Sequence, residues 1–301
     1  MRVSPTYAVL ASLLLLSLLQ PLALAQEIAT LTLVEGSLRV IRGTAAMQGG
    51  EGVRLHGGDI LETSPSGFAQ VEFVGGTVAA LGPSTRVYLL HSAGSGSKRG
   101  DASELVLLSG WLKGETGPNA GAYCYASPQL AATTRGGTVV MHVEGTGADV
   151  YVESGAAVIA KVSPEGRLAQ PDEVKGGTFL SRRAGKGVGS NPRPDAAFVD
   201  GMPRPFRDTL PSRLARFPKP AAPKRDHEVS YSEIQPWLTM PVAWRRGFVE
   251  RFQPRLHDGE FRKELEAHVK DHPEWDPILH PENHSKTAPA TAEDSDPARR
   301  R

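Results

Sequence analysis

The sequence predicts a mainly β fold, a glycine-rich antiparallel β sandwich or roll followed by a proline-rich linker and a small α-helical region. Three observations predict it. Thirty of the 32 glycines lie between Gly36 and Gly201, where they separate short apolar runs as turns separate strands. Eight of the 24 prolines fall between Pro192 and Pro223. Beyond them, apolar residues recur at helical spacing.

Residues 1–25 have the pattern of a cleavable secretory signal peptide. Arg2 precedes an apolar run of 12 residues, Ala8 to Leu19, and Ala23-Leu24-Ala25 is a small-x-small cleavage site. The run is shorter than the roughly 20 residues that span a bilayer. We therefore expect an exported protein, soluble in the periplasm after cleavage; an uncleaved membrane anchor is the alternative.

The composition excludes two broad classes of protein. The whole chain has a formal net charge of +1, and Arg2 is the only charged residue in the signal segment, so the mature chain is neutral and does not resemble a general nucleic-acid binder. The single cysteine, Cys124, cannot form an internal disulfide, so the chain is not a disulfide-stabilised scaffold. No catalytic signature surrounds it, so we expect a buried strand cysteine.

Residues 26–181 alternate in polarity as half-buried strands do. The run 69–73, Ala-Gln-Val-Glu-Phe, places small and apolar side chains on one face and polar ones, including Glu72, on the face expected to meet solvent. The runs 31–33, 38–40 and 150–153 alternate in the same way. No helical pattern of 10–15 residues separates these runs, which argues against βαβ units.

Residues 182–226 form a basic, proline-rich segment. They contain 11 Lys and Arg residues against four Asp and Glu residues, with few apolar runs. This composition predicts an extended, solvated tether. The alternative is contact with anionic lipid headgroups or acidic cell-wall polymers through charge.

Residues 227–285 are predicted to be helical. Thr239 and Pro241 begin a first helix that Pro254 distorts or ends, and a second helix runs from near Asp258 to Pro273. The apolar face of the first comprises Trp244, Phe248, Val249, Phe252 and Leu256, and that of the second Phe261, Leu265 and Val269. Short helices bury little alone, so we expect Trp237, Trp244 and Trp275 to pack on the β domain or on each other. The polar tail 286–301 is predicted to be disordered.

An ordered series of short motifs runs through the glycine-rich region. Gly58-Asp59-Ile60-Leu61-Glu62-Thr63 is followed by Leu81-Gly82-Pro83-Ser84, by Gly110-Trp111-Leu112 and by Arg135-Gly136-Gly137-Thr138. Over about residues 28–181 this series resembles the FecR domain of bacterial envelope proteins, with its "GD-x-L-x-T", "lgp.s", "G-x-L" and "TP…RGT" steps. The resemblance implies a β fold and a place in the cell envelope.

The sequence departs from that family in three respects. Ser127 stands where threonine is typical, and residues 135–138 carry an extra glycine that can shift a turn. The family's namesake is a transmembrane anti-sigma regulator with a cytoplasmic N-terminal region, whereas seven residues precede the apolar run here. We therefore do not expect this chain to bind a sigma factor in the way its namesake does.

The sequence shows no signature of an enzyme. Asp59, Glu62 and Glu72 do not cluster, and neither a GxSxG motif nor a phosphate-binding glycine loop is present. Residues 94–99, Gly-Ser-Gly-Ser-Lys-Arg, are predicted to be a flexible hairpin tip. We expect no catalytic residues and no cofactor.

Histidine spacing raises the question of a metal site. His268 and His272, like His280 and His284, are four residues apart, a spacing that places two ligands on one helical face. Three acidic residues lie close by in the sequence: Glu274, Asp276 and Glu282. A zinc site needs three or four convergent ligands, HExxH is absent and Pro273 ends the helix, so we expect solvated histidines and no bound metal.

These observations predict an exported, non-enzymatic FecR-like protein that binds a protein, peptide or glycan partner in the envelope. Strand addition at an exposed sheet edge is one physical route to such binding. The first alternative is a periplasmic component of FecR-type signalling that acts with a separate membrane regulator. A weaker alternative is an envelope hydrolase with carboxylates dispersed along the chain.

Overall fold

The computed structural model describes residues 26–90 and 103–284, and over these residues the chain forms sixteen strands and seven short α-helices. The predicted signal peptide, the predicted hairpin tip at 94–99 and the predicted disordered tail lie outside the described residues. The strands are β1 (Glu27–Glu35), β2 (Leu38–Arg42), β3 (Ala45–Gln48), β4 (Arg54–His56), β5 (Ile60–Thr63), β6 (Phe68–Phe73), β7 (Val78–Leu81), β8 (Arg86–Leu90), β9 (Ser103–Thr116), β10 (Tyr123–Ala126), β11 (Leu130–Glu144), β12 (Gly147–Val162), β13 (Leu168–Lys175), β14 (Thr178–Arg183), β15 (Val188–Asn191) and β16 (Lys224–Glu228).

The strand pairings define two layers that share three long strands. The first layer has the order β13-β12-β11-β10-β9-β8-β5-β2-β3-β16, and the second has the order β15-β14-β12-β11-β9-β7-β6-β1-β4. Strands β9, β11 and β12 contribute one half to each layer. The named strands pair antiparallel, except β9 with β10, which pair parallel. The predicted mainly β fold is confirmed.

Each shared strand bends at a glycine. Gly110 in β9, Gly137 in β11 and Gly155 in β12 have positive φ values of 89°, 116° and 74°, which side chains disfavour. A Cβ atom on Gly137 would lie 2.3 Å from the carbonyl oxygen of Ser154. These glycines, which the sequence predicts to form turns, therefore bend continuous strands, and the glycine pair at 136–137 provides the bulge at which β11 passes from one layer to the other.

The main core lies between the two layers. In β6, Ala69, Val71 and Phe73 point into it, as the alternation predicts. Strands β5, β6 and β7 contain no exposed residue, so their outer faces are also covered. The two coverings come from different parts of the chain.

The outer face of the first layer is covered by residues 229–284, which we call the helical cap. Its helices are α2 (Tyr231–Leu238), α3 (Val242–Arg245), α4 (Phe248–Phe252), α5 (Gly259–Ala267), α6 (Asp276–Leu279) and α7 (Pro281–His284). Trp237, Trp244 and Trp275 share an apolar cluster with Ile60 and Tyr88 of the sheet, which confirms that the helices pack on the β region. Within the described part of the chain, no helix has the length and apolar character needed to cross a bilayer.

The first predicted helix of the cap is wrong in its extent. Thr239 ends α2 rather than beginning a helix, and the expected continuous helix is divided into α3 and α4, with Gly247 immediately before α4. A 3-10 turn over Gln253–His257 follows, because Pro254 cannot continue the α-helical hydrogen bonds. The second prediction is closer: Asp258 caps α5, although the helix ends at Ala267 and Val269 lies in a 3-10 turn.

Residues 182–226 are not the extended tether that their composition predicts. They complete β14, form β15 and α1 (Ala196–Gly201), cross the second layer over residues 203–217, and form β16 at the edge of the first layer. We call residues 203–217 the strap. Three widely spaced apolar side chains, Phe198, Phe206 and Leu210, are buried against the outer face of the second layer. Three such residues among 45 are too few to stand out against the basic and proline-rich background.

Candidate functional site

An open cleft of about 1130 Å³ lies where the two layers, the strap and β16 meet. Its lining comes from the ends of β2, β3 and β5, the turn between β7 and β8, the bend of β9 and the hairpin between β11 and β12. Gly201, at the end of α1, and Pro203, at the start of the strap, complete one wall. The cleft is therefore built from parts of the chain that are far apart in the sequence.

Three of the sequence motifs meet in the floor of the cleft. The Thr63 hydroxyl donates to the carbonyl oxygen of Gly82 at 2.6 Å and accepts from the Thr85 amide at 2.8 Å. The Thr85 hydroxyl accepts from the Trp111 amide at 2.9 Å and lies 3.1 Å from the Trp111 carbonyl oxygen. These buried threonines thus fix the β5 end, the turn after β7 and the β9 bend to one another, which explains the threonine that ends the first motif.

Ser84 adds backbone strain to this floor. Its φ of +50° lies in the left-handed region, where only one other described non-glycine residue, Gln170, is found. The Ser84 amide is held by the carbonyl oxygen of Ser64 at 3.0 Å, and both serines line the cleft. Strained backbone of this kind persists only where its surroundings fix it, so the floor is preorganised.

A buried carboxylate, Glu62, organises the basic wall of the cleft. It accepts from Arg39 Nε at 2.9 Å and Arg39 Nη2 at 2.5 Å, and from Trp237 Nε1 of the cap at 3.0 Å. Arg86 Nε lies 3.5 Å from the same carboxylate. Glu62 is thus already satisfied by Arg39 and Trp237, and it is the one acidic partner that Arg86 has in the described structure. A guanidinium carries five N–H donors, so the half-exposed Arg86 retains donors for a ligand.

Aromatic rings form another wall of the cleft, which includes Trp111 and His142. The rings of Trp111 and His142 stack with centroids 4.0 Å apart and an interplanar angle of 16°, and Phe198 packs against Trp111 at 5.0 Å. Burial lowers the pKa of His142, so the ring is neutral at pH 7. The cleft therefore combines a neutral aromatic wall with a cationic wall. Over the whole lining, four basic side chains outnumber three acidic ones, so the cleft is suited to binding a polar or anionic group: Arg39, Arg86, Lys224 and Arg225 against Glu62, Glu144 and Asp226.

The three candidate carboxylates do not converge. Asp59 is buried beside Arg42, with Nε and Nη2 contacts of 2.9 and 2.7 Å, and lines a separate cavity of about 300 Å³. Glu62 lines the cleft, and Glu72 lies under the strap. The prediction that Glu72 faces solvent is wrong: the side chain is 4% exposed because the strap covers it.

The cysteine and histidines occupy the cap and the strand beneath it. Cys124 is buried on β10 under the cap, as predicted. His268 Nδ1 contacts the Glu264 carbonyl oxygen at 2.8 Å, whereas His272 is fully buried rather than solvated, because it packs near Tyr231. The side chain of His280 lies at the surface of the cap and is 37% exposed. Among the described residues there is no group of three or more His, Cys, Asp or Glu side chains placed to hold a metal ion.

No protein-family model matches the chain, and no curated protein matches it. Two crystal structures, at 1.65 and 2.50 Å resolution, of a "putative anti-sigma factor" from Parabacteroides distasonis ATCC 8503 are similar to it in part. Each has 12% sequence identity and a TM-score of 0.37 and covers 47% of this chain. The chain spans 62% of the length of that protein. The lining of the cleft therefore carries the functional conclusion.

Proposed function

We propose that this is an exported, non-enzymatic protein of the cell envelope that binds a protein, peptide or glycan partner in the cleft. The observation that carries the proposal is Arg86, whose guanidinium shares a carboxylate already occupied by Arg39. Arg86 lines the cleft together with Ser64 and Ser84 of the preorganised floor. Arginine binds carboxylates through paired, charge-assisted hydrogen bonds, so the partner presents an anionic group at this wall.

The FecR-like motifs support this assignment to the envelope. Thr63, Gly82 and Trp111, which belong to three of those motifs, hold the floor of the cleft together. The signal-peptide pattern of residues 1–25 supports export. In the alternative, FecR-type signalling, the partner in the cleft is a separate membrane regulator.

The surroundings of the carboxylates support a binding role over hydrolysis. Glycosidases use two carboxyl groups on either side of the bond that they cleave, one to donate a proton and one to attack or to activate water. In the cleft, Glu62 is held by Arg39 and Trp237, and Glu144 lies at the tip of the hairpin between β11 and β12. The third cleft carboxylate, Asp226 on β16, lies 3.2 Å from His227 Nδ1. Glu62 is thus engaged in holding the wall and the cap together.

Site-specific crosslinking in the periplasm tests the proposal. A photoreactive residue at Gln48, which is exposed and lines the cleft, is compared with the same residue at Glu173, which is exposed on the edge strand β13. We expect an adduct from position 48 only, and its loss when Arg86→Ala is added. Identification of the adduct distinguishes a membrane regulator from a cell-wall glycan or peptide.

Three outcomes would contradict the proposal. One is the absence of any adduct at position 48 while the protein remains a soluble monomer. Another is an adduct that persists unchanged in Arg86→Ala. That result would show that the cationic wall does not take part in binding. Equal adducts at positions 48 and 173 would indicate non-specific capture and would also count against the cleft.

A further inference from the structure

The strap lies on a row of polar side chains that are buried on the outer face of the second layer. Gln70 and Glu72 come from β6, and Lys113 and Glu115 come from β9. Gln70, Glu72 and Lys113 are almost completely inaccessible to solvent. Buried polar groups are costly unless each finds a partner, so what they contact defines what this face recognises.

Lys113 and Glu115 bind the first half of the strap through its backbone. Lys113 Nζ donates to the carbonyl oxygens of Phe206 and Asp208, both at 2.8 Å. Glu115 Oε1 accepts from the Leu210 amide at 3.0 Å. Lys113 is also neutralised within the sheet by Glu115 at 3.2 Å and Glu153 at 3.3 Å. A lysine and a glutamate on one strand thus bind two carbonyl oxygens and one amide of the strap.

Gln70 and Glu72 bind the second half of the strap in the same way. Gln70 Nε2 donates to the Pro211 carbonyl oxygen at 2.9 Å. Glu72 accepts from the Arg213 amide and from the Ser212 hydroxyl, each at 2.6 Å. Burial alone would raise the pKa of the Glu72 carboxyl, but the hydrogen bonds from Ser212, Arg213 and its other donors outweigh burial and lower that pKa.

The contacts between the strap and the second layer resemble those between a binding groove and a separate peptide. No backbone hydrogen bond joins residues 203–217 to a strand in the part of the chain that the structure describes. Instead, side chains of the sheet hold the strap backbone, and two apolar side chains four residues apart, Phe206 and Leu210, anchor it. The Phe206 ring packs edge to face on Phe68 at 6.2 Å. Proline-containing peptides commonly dock on aromatic-lined grooves.

We propose that the outer face of the second layer is a peptide-binding groove and that the strap is its resident ligand. The partner that fits it is a proline-containing peptide with an aromatic residue and a leucine four residues apart. Like the strap, which has 3-10 turns over Arg204–Arg207 and Leu214–Arg216, it is only partly extended. Its carbonyl oxygens face Lys113 and Gln70, and its amides face Glu72 and Glu115. This groove is separate from the cleft, although Pro203 at the start of the strap borders both.

A tethered ligand excludes a free one, because tethering gives it an effective concentration in the millimolar range. The test therefore weakens the strap within the full chain. A fluorescent peptide with the sequence of residues 202–217 is titrated into the wild-type protein, the Phe206→Ala/Leu210→Ala variant and the same variant with Glu72→Ala added. A scrambled peptide is the control.

We expect saturable binding to the double variant that is at least about tenfold tighter than to the wild type, and its loss with Glu72→Ala or with the scrambled sequence. Near-ultraviolet circular dichroism shows whether the variants keep their packed core. Absence of saturable binding to a folded double variant overturns the proposal. Equal binding to the double variant with and without Glu72→Ala overturns it as well.

Hydrogen exchange tests the same proposal in the wild-type chain, without any substitution. A resident ligand opens without unfolding the sheet, so we expect the Leu210 and Arg213 amides to exchange at least about tenfold faster than the Leu112 amide in β9. Exchange of all three amides at one common rate shows that the strap opens only with the whole fold and overturns the proposal. Neither result depends on the crosslinking at Gln48.

Discussion

The two layers of this protein are covered on their outer faces in opposite ways. The helical cap covers the first layer with a large apolar cluster that includes Trp237, Phe248 and Phe252. The strap covers the second layer with two apolar side chains and a row of hydrogen bonds from buried polar residues. The first covering is bound by its side chains, and the second largely by its backbone.

The cap also makes polar contacts with the sheet region. Two of them join side chains, Trp237 with Glu62 and Glu233 with Arg39, and others reach main-chain carbonyl oxygens. The Arg251 guanidinium donates to the carbonyl oxygens of Gly43, Gly58 and Ile41 at 2.8, 2.6 and 2.9 Å. The same guanidinium lies 4.9 Å from the Phe252 ring centroid, in a cation–π contact. Because these contacts join the cap to the loops that shape the first layer, we infer that the cap forms together with the sheet.

Because of this difference, the two coverings are expected to contribute unequally to the free energy of unfolding. Apolar burial contributes about 25 cal/mol per Å² and is lost only when the surfaces separate, whereas a hydrogen bond that water can replace contributes about 1 kcal/mol net. We therefore expect changes in the cap to unfold the protein and changes in the strap to release it locally.

The largest effect is expected for Trp237→Ala in the cap. The side chain is fully buried and its Nε1 donates to Glu62, so the substitution leaves a cavity and removes a partner from a buried carboxylate. We expect a loss of about 3–5 kcal/mol in the free energy of unfolding, measured by urea denaturation. Val242→Ala, at a residue 43% exposed in the same cap, is the control and should change it by less than about 0.5 kcal/mol. Equal effects of the two substitutions would show that the cap contributes little.

A smaller, local effect is expected for Glu72→Ala under the strap. Removal of the carboxylate leaves the Arg213 amide and the Ser212 hydroxyl without their acceptor, which costs about 1–3 kcal/mol. Hydrogen exchange should show this loss in the strap amides while the Leu112 amide remains protected. Glu173→Ala, at an exposed position on β13, is the matched control. An effect spread evenly over strap and sheet would contradict the distinction between the two coverings.

The two coverings should lose stability at different pH values as the solution is acidified. Burial lowers the pKa of His272 in the cap below its ordinary value of 6.5, so the unfolded cap binds a proton before the folded cap does. The stability that the neutral ring contributes is complete above about pH 6.5 and is lost as the pH falls below it. The pKa of Glu72 is lowered below 4.5, so its contribution is complete above that value and is lost only as the pH falls through its folded pKa.

The measurement is urea denaturation at pH 7.5 and 5.5, with hydrogen exchange of the strap amides at the same two values. We expect the stability of the wild type to fall between these pH values and the fall to diminish in His272→Phe, while the strap amides stay equally protected. Other groups that face His272 or act on its charge are Asp271, Glu274, Arg245, His268 and Tyr231. His280→Gln, at an exposed histidine, is the control. A fall that persists in His272→Phe assigns the acid sensitivity to another group.

Much of the β region could be predicted from the sequence, because period-two alternation and glycine punctuation are local signals. The alternation in residues 69–73 gave the inward face of β6 correctly, but not the burial of Glu72, since the segment that covers it lies about 140 residues further along the chain. Glycines at 110, 137 and 155 signalled a change of direction, but a glycine that ends a strand and one that bends it look alike in the sequence.

The cleft could be predicted only in part for the same reason. Its floor comes from motifs that the sequence shows in order, but their meeting depends on hydrogen bonds between Thr63, Gly82, Thr85 and Trp111. A threonine at the end of a strand carries no sign in the sequence of its distant partner. Arg86 could not be predicted as a binding residue from the sequence. What distinguishes it from the other arginines is its position beside a carboxylate that Arg39 already binds.

The smallest effect on stability is expected at the cleft, which lies between the two coverings. Arg39 binds Glu62 and also Glu233 of the cap, so Arg39→Ala loosens a covering, whereas Arg86 makes one longer contact with Glu62 and is 43% exposed. We expect Arg86→Ala to change the free energy of unfolding by less than about 0.5 kcal/mol and Arg39→Ala to lower it by about 1–3 kcal/mol. Urea denaturation of both variants decides the point. If Arg86→Ala destabilises the protein as much as Arg39→Ala, then Arg86 supports the wall of the cleft, and its donors are not available to a partner.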